Sequence, residues 1–295
     1  MEYTKLPLTL SQQIERLHTR GLKFADIDSA RVFLNNVNYY RLSAFFIPFQ
    51  SQKDSFIPGT TFDEIINLYQ FDQKLRTILF KALEIVEISF RTRITLHLAL
   101  KYGAFAQASP ACFAQSFRHA RWYDAVKNEI SRSKETFIDH YRNKYLHSPD
   151  FPIWILIEGC SFGSLSLMYA GMKNEDKDAI AEEFTIHRSV LKTWLHTMVY
   201  IRNTCAHHAR LWNREIAIKP EFPDSNPAFS ELRMIRRHKI FSALSVIHFC
   251  LRIITAKHSL RTDLVDVFNE FSFTRLHAAG FPPYWDSLSL WKDRS

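Results

Sequence analysis

Glycine is scarce in this chain, which has only 7 glycines and 11 prolines among 295 residues, against 25 phenylalanines. A many-stranded β fold needs glycine and proline at its turns, so this composition favours packed helices. No apolar run approaches the roughly 18 residues that span a bilayer, and we expect no membrane segment. The first residues lack a basic segment followed by an apolar stretch, so no signal peptide is expected.

Cysteine is scarcer still. Cys112, Cys160, Cys205 and Cys250 are far apart and show no CxxC spacing. This distribution is typical of reduced, partly buried thiols in a cytoplasm rather than of a disulfide framework or a zinc site, so we expect a cytoplasmic protein. A glycine-rich phosphate loop is also missing, which disfavours hydrolysis of nucleoside triphosphates.

Positive charge is in excess, with 38 Lys+Arg against 30 Asp+Glu, a net charge of +8 and a pI near 9.3. A basic surface attracts phosphates and therefore favours a nucleic-acid partner. The same excess is also found in basic soluble proteins with no such partner. Charge alone leaves both interpretations open.

Apolar periodicity predicts an all-α protein: a helical bundle with an N-terminal extension and C-terminal helices. We expect two or three short helices in residues 1–58, a helical core in residues 59–220, and C-terminal helices and a tail packed on the core in residues 221–295. No internal repeat interrupts this order.

Helix boundaries can be predicted at several points. Thr61 and Glu64 form a capping box that starts a helical span reaching Gly103. That span would be about 60 Å long, so we expect a break or a bend within it. Asp28 or Ser29 is predicted to cap an earlier helix.

Further helices are predicted in the second half of the chain. We expect one over residues 121–145, one that begins at Pro152 and carries Gly159 and Gly163 on a shallow face, one capped by Ser189, and a long one over residues 228–258.

The stretch "IRNTCAHHARLWNR", residues 201–214, combines two histidines with three arginines. A guanidinium on a buried face needs a paired charge, because arginine stays protonated. Candidate partners of Arg202 are Glu84, Glu87 and Glu158, so Arg202 either anchors a buried ion pair or opens into a cleft that holds an anion. On an ideal helix, Arg202 lies in the middle of an apolar arc formed by Leu191, Leu195, Met198, Cys205, Ala209 and Trp212.

The opposite face of that helix carries a polar strip formed by Asn203, His207, Arg210 and Arg214. Such a strip is often only a solvated surface. Its imidazole and guanidinium groups also suit phosphodiester cleavage, which needs proton transfer near neutral pH and positive charge beside the phosphorane oxygens. His207 points about 140° away from Arg202, so a bend or a second copy of the chain is needed to bring both to one atom.

Other chemistry is disfavoured at this stretch. Cys205, His207 and His208 are potential metal ligands, but adjacent histidines point about 100° apart and no carboxylate lies at ligand spacing. A thiol nucleophile is disfavoured because Cys205 lies on the apolar arc, where a thiolate is unstable. We expect neither a metal nor a cofactor.

The same stretch resembles the signature of the Abi-like proteins, the AbiD/AbiF group of bacterial abortive-infection proteins. Three other stretches resemble that family in the same order: "NYYRLSAFFIPF", "GTTFDEIINLYQFDQKLRTILFKALEIVEISFRTRI" and "PIWILIEGCSFGSLSLMY". The resemblance covers about residues 10–220. It implies the HEPN superfamily, helical bundles whose ribonucleases carry Arg, a polar residue, three more residues and His. Here that pattern is matched by Arg202, Asn203 and His207.

The resemblance implies metal-independent RNA cleavage that leaves a cyclic phosphate. His207 would be the acid/base, Arg202 would hold the phosphate and Asn203 would orient either one. It further implies a homodimer, a toxin-like role in a bacterial cytoplasm during phage infection, and possible control by a structured non-coding RNA. Residues expected to bind RNA or to support the site are His208, Arg210, Arg214, Glu84, Glu87 and Arg91.

Two alternatives stay open beside a ribonuclease: a non-catalytic RNA-binding protein, and a dimeric interaction module in which the strip is only a contact surface. Glu87 and Arg91 are four apart and form either an ordinary helix pair or a support for Arg202. The run Arg233, Arg236, Arg237, His238 and Lys239 either tracks phosphates or is a solvated helix face. For Tyr39, Tyr40 and Phe45, core packing is favoured over base stacking.

Overall fold

The structure is a computed structural model that describes residue 2 and residues 6–148, 150–271 and 276–292. Within these residues every regular element is a helix except for one two-stranded hairpin, which confirms the all-α prediction. None of the described helices is both long and apolar enough to span a membrane. The chain forms two compact units, Met1–Arg76 with Leu264–Thr274, and Thr77–Asp263 with Arg275–Ser295. The division at residues 58 and 220 stays a prediction.

The first unit begins with short capped helices. The side chain of Asp26 caps the second helix by accepting hydrogen bonds from the backbone of Asp28 and Ser29, so the cap lies two or three residues before the predicted one. Phe45 is buried, as predicted, whereas Tyr40 is 86% exposed. In chain order the elements are α1 (Leu10–Thr19), α2 (Ile27–Asn36), α3 (Tyr39–Ser43), β1 (Gln50–Gln52) and β2 (Ser55–Phe56).

The long helix α4 spans Phe62–Tyr102. Its predicted capping box is confirmed, because Thr61 accepts a hydrogen bond from the Glu64 backbone and Glu64 accepts one from the Thr61 backbone. The helix continues through all 41 residues without the break that its length suggested. No glycine or proline lies inside it, and apolar side chains recur on its buried face, so nothing local interrupts its hydrogen bonding.

The second unit contains the remaining helices, several of which are shorter than predicted. Residues 121–145 form two helices, and Pro152 is the N-cap of a helix that stops before Cys160, where Ser161 caps the next one. Gly159 and Gly163 therefore lie on separate helices. The helices are α5 (His119–Arg132), α6 (Thr136–Lys144), α7 (Ile153–Gly159), α8 (Phe162–Gly171), α9 (Asn174–Glu182), α10 (Arg188–Ala206), α11 (Ile240–Ile254) and α12 (Leu260–Glu270), the last of which begins in this unit.

Close packing explains Gly159. A Cβ at this position would come within 2.5 Å of the Ile130 Cδ1 atom on α5, so any side chain would require Ile130 to move. Gly163 has more room, because the nearest atom across the helix contact is 4.0 Å away on Val199. The predicted shallow face is therefore packed at Gly159, against side chains of both α5 and α6.

The predicted helix over residues 228–258 is wrong in its first half. Residues Pro227–Leu232 form a 3₁₀ segment, and α11 begins only at Ile240. The hydroxyl of Ser242 donates to the carbonyls of Arg237 and Lys239, which gives the backbone before α11 an alternative to helical bonding. Twelve of the 15 residues of α11 are buried, as expected for a helix that is apolar on all sides.

Candidate functional site

Helix α10 positions the motif by burying one face along its length. Leu191, Leu195, Met198 and Cys205 are all buried, as the apolar arc predicted. The N-cap is His187, which accepts a hydrogen bond from the Ser189 backbone, so the predicted Ser189 cap is wrong by two residues.

The helix ends earlier than an ideal wheel assumes. Ala206 is its last residue, and His207 is the C-cap. His208 adopts φ +52°, while its N–H bonds to Cys205 and the N–H of Ala209 bonds to Thr204. This is a Schellman ending with histidine in the place that glycine usually takes. The chain then turns so that Leu211 and Trp212 become buried.

The prediction of one continuous polar strip is therefore wrong after Ala206, the last residue of α10. Arg210 and Arg214 do not continue the face of Asn203 and His207, because they follow the turn. Instead, the Arg214 guanidinium folds back and donates from Nε to the hydroxyl of Tyr200 at 2.8 Å. Asn203, His207 and His208 remain exposed around the end of α10.

Arg202 meets Glu87 of α4 and is partly open to solvent. Its Nε lies 3.5 Å from Glu87 Oε2, with side-chain exposures of 35% for Arg202 and 12% for Glu87. A second donor, Nη1, reaches Asn203 Oδ1 at 3.4 Å. Among the described residues, the exposed carboxylates Glu84 and Glu158 form no ion pair with Arg202. Arg202 thus has one carboxylate partner and an accessible guanidinium.

Glu87 itself bridges two arginines. Its Oε1 accepts a hydrogen bond from Arg91 Nη2 at 2.6 Å, so Glu87 and Arg91 are more than an isolated helix pair. Arg91 is buried and also donates to the carbonyls of Ile157 and, at 2.8 Å, Cys160, at the end of α7. The series Arg91–Glu87–Arg202 ties α4 to α7 and to α10. Burial raises the pKa of the Cys160 thiol to about 12, so it stays protonated and is not a nucleophile.

A cavity of about 970 Å³ lies between α8, α9 and the part of α10 that precedes the motif, and its lining reaches Val199, three residues before Arg202. Lys173, Lys177, Lys192 and His196 line it. Burial, together with the charges of Lys192 and Arg188, lowers the pKa of Lys177, as expected where several cations are crowded. His196 is on the same face of α10 as Asn203, which follows it by two turns. We call this cavity the α8–α10 groove.

Sequence patterns did not reveal this groove. Lys173 and Lys177 are about twenty to thirty residues before the motif, and only the packing of α9 against α10 brings them to the face of α10 that carries Lys192 and His196. A sequence pattern can indicate a polar helix face but not which distant lysines border it.

The basic run near residue 235 is neither a helix face nor wholly exposed. Arg233, Arg236 and Arg237 are exposed in the irregular segment before α11. Lys239 is buried and donates to the side chain of Asn213 at 3.2 Å, which ties the segment to the chain that follows the motif.

The site residues on α4 and α10 lie within the part of the chain that matches a known family. A family model described as Abi-like protein matches residues 32–213, which is more than half of the chain and includes Glu87, Arg91 and the whole end of α10. No curated protein matches the chain, and no solved structure does. The chain therefore belongs to the Abi-like protein family, which links it to abortive infection and phage defence.

Proposed function

We propose that this protein is a metal-independent endoribonuclease of the HEPN type that acts in abortive infection. One observation carries the proposal: Arg202 and Asn203 lie in the last turns of α10 and His207 is its exposed C-cap, with Arg202 held by Glu87. Family membership supports the setting of phage defence.

The residue types supply what cleavage needs. The 2′-oxygen of a ribose bonds to the adjacent phosphorus as the bond from phosphorus to the 5′-oxygen breaks, which leaves a 2′,3′-cyclic phosphate and a free 5′-hydroxyl. A neutral imidazole takes the proton of the 2′-hydroxyl, and a protonated imidazole gives one to the leaving 5′-oxygen. Arg202 stabilises the charge on the phosphorane oxygens, and Asn203 orients the guanidinium through its Oδ1.

Two copies of the motif complete this site in the proposal. One chain supplies one His207, whereas the reaction uses an acid and a base. His207 also follows Arg202 by five residues, which places the two about 140° apart around the axis of α10. A homodimer that faces the ends of two α10 helices supplies both imidazoles.

The α8–α10 groove supports an RNA substrate. Its three lysines attract the phosphates that flank the cleaved bond, and it lies along the same face of α10 as Asn203. A structured non-coding RNA that occupies this groove would block the substrate, which is how we propose that the toxin-like activity is controlled.

The decisive experiment compares His207→Ala with His140→Ala, a matched change at an exposed histidine on α6. Purified proteins are incubated with total bacterial RNA in EDTA, and the 3′ ends are sequenced for cyclic phosphates. We expect wild type and His140→Ala to cleave, and His207→Ala to lose at least a hundredfold in rate while keeping its RNA affinity.

Other results would identify the rival functions. RNA binding without cleavage by wild type would favour a non-catalytic RNA-binding protein. Absence of salt-sensitive RNA binding would favour a dimeric interaction module, because phosphate contacts weaken steeply with salt. Cleavage that EDTA abolishes would contradict the metal-independent mechanism.

A further inference from the structure

A second cavity, of about 670 Å³, lies between the C-terminal end of α11, the start of α12 and the tail that follows. We call it the α11–α12 cavity. Its size falls within the range of small-molecule sites. Except for two positions on α4, its lining residues lie after residue 247, outside the stretch that the Abi-like family model matches.

The lining of this cavity is strongly cationic. None of the described residues that line it is an aspartate or a glutamate. The C-terminal end of α11 carries a partial negative charge, and the N-terminal end of α12 carries a partial positive one. Because these two partial charges offset each other, the side chains decide the sign of the electrostatic potential in the cavity. The cations that line it are Lys81, Arg252, Lys257, Arg261 and Lys292.

Nearby carboxylates neutralise only part of this charge. Asp263 Oδ2 lies 3.2 Å from Lys81, and Asp286 lies 4.0 Å from Arg261. The charge of Lys292 also acts on the carboxylate of Glu231, so five cations and three carboxylates leave a net charge of +2 around the cavity. Arg252 is fixed in place because its Nη1 donates to the Leu290 carbonyl at 2.6 Å. Such a concave surface of one sign concentrates anions.

A buried imidazole adds a polar group without a hydrogen-bond partner. His248 lines the cavity and is 3% exposed, and neither of its ring nitrogens forms a hydrogen bond within the described structure. Burial lowers the pKa of His248 and holds the ring neutral, while the nearby Leu290 carbonyl acts in the opposite direction. A buried polar group of this kind is costly unless a ligand or water satisfies it.

We propose that the α11–α12 cavity binds a phosphate-bearing ligand, with Lys257 and Lys292 as its accessible contacts. Both lysines are exposed, and neither forms a direct ion pair with a carboxylate among the described residues, although the charge of Lys292 acts on Glu231. Lysine binds phosphate as a point charge, while the fixed guanidinium of Arg252 sets the positive potential behind it. A phosphate oxygen that enters the cavity also accepts a hydrogen bond from the ring of His248. This site is separate from the motif on α10 and does not depend on the proposed ribonuclease activity.

The test uses inorganic pyrophosphate as the probe and calorimetric titration of the full chain. Lys257→Gln with Lys292→Gln removes two charges from the cavity. Lys53→Gln with Lys134→Gln removes two charges from exposed lysines elsewhere and serves as the matched control. We expect saturable binding by wild type, at least tenfold weaker binding by the cavity pair, and unchanged binding by the control pair.

Competition then identifies the source of the phosphate. In the His207→Ala background, an RNA strand with a 5′-phosphate, the same strand with a 5′-hydroxyl, and a nucleoside 5′-monophosphate each compete with pyrophosphate. Competition by the phosphorylated strand alone would assign the cavity to an RNA end, and competition by the monophosphate would assign it to a small molecule. Absence of saturable pyrophosphate binding, or an equal loss in both lysine pairs, would overturn the proposal.

Discussion

His207 lies exposed at the end of α10, whereas His248 is 3% exposed within α11. The ring of His248 lies flat against Trp291, with centroids 4.2 Å apart. Burial, followed by the charges of His258 and Arg252, lowers the pKa of His248 to about 3. The imidazole of His207 is therefore open to solvent, whereas the imidazole of His248 is held neutral by burial. Only the first arrangement suits acid/base catalysis in an open site.

The arginines beside these histidines show a similar contrast. Arg91 is buried, and its donors are used by Glu87 and two carbonyls. Arg202 shares Glu87 but stays 35% exposed, and its described contacts use Nε and Nη1. Guanidinium has five N–H donors, so Arg202 retains donors for a phosphate while Arg91 has a structural role.

The largest effect is expected from Arg202→Ala. Removing a group that stabilises transition-state charge costs about 10²–10³ in rate, whereas RNA affinity should fall less than tenfold. Arg202→Lys should restore only part of the rate, because lysine lacks the planar fork of donors. Single-turnover cleavage kinetics measure this, with Arg132→Ala on α5 as the control for losing an exposed arginine. An unchanged rate in Arg202→Ala would contradict the catalytic role.

The next largest effect is expected from His248→Phe, which should make the stability of the fold less sensitive to acid. The unfolded chain takes up a proton near pH 6.5 that the folded His248 accepts only near pH 3. Wild type therefore loses stability as pH falls through this window, at about 1.4 kcal/mol per pH unit relative to the variant. Urea unfolding at pH 7 and at pH 4.5 measures the free energy of unfolding of both proteins. The difference between wild type and His248→Phe should change by about 2–3 kcal/mol between the two pH values, at the expense of wild type. If the stabilities of wild type and His248→Phe depend on pH in the same way, His248 is not held neutral in the folded chain. The control variant His140→Phe should keep the pH dependence of wild type.

A smaller effect is expected from Glu87→Gln. The neutral amide still bonds to Arg91 but holds Arg202 less firmly, so kcat should fall about tenfold with little change in KM. Stability should fall by about 1–3 kcal/mol, because the buried Arg91 loses its charged partner. Glu84→Gln, three residues earlier on α4 and exposed, is the matched control and should change neither quantity. Equal effects of both variants would remove Glu87 as the positioning residue of Arg202.

The smallest effect is expected from Lys173→Gln with Lys192→Gln in the α8–α10 groove. RNA affinity should fall a few fold, and its salt dependence should become less steep by about 0.7 for each lost phosphate contact. Fluorescence anisotropy at several salt concentrations measures both values. Lys53→Gln with Lys134→Gln, which removes the same charge elsewhere, should leave the slope unchanged. A slope unchanged in the groove variant would exclude the groove as an RNA path.

Much of the helical framework could be predicted from sequence. The capping box at Thr61 and Glu64 was found because it depends on side chains three residues apart. The end of α10 was missed, because no glycine marks it and the Schellman turn places His208 in a left-handed conformation instead. The predicted continuous helix across Cys160 failed for a related reason: Ser161 offers a cap that competes with helix continuation.

The site was only partly predictable, because a sequence pattern does not show which distant residues meet in the folded chain. Sequence narrowed the partner of Arg202 to three glutamates, and the structure selects Glu87. Periodicity alone could not choose, because Glu84 and Glu87 are one turn apart on α4 and both lie near its polar edge. The cavity between α11 and α12 had no sequence signal, since folding brings Lys81 of α4 and Lys292 of the tail beside Arg252, Lys257 and Arg261.

The sequence by itself determined that the chain is helical, that α4 begins after the capping box of Thr61 and Glu64, and that Arg202, Asn203 and His207 follow one another within six residues. These features depend on interactions within about one turn of backbone. Tertiary packing alone decided that Glu87 pairs with Arg202, that burial of Leu211 and Trp212 turns the chain after His207, and that His248 is buried while His207 stays exposed. The free energy of burying those side chains comes from residues far apart in the chain, which no local pattern records.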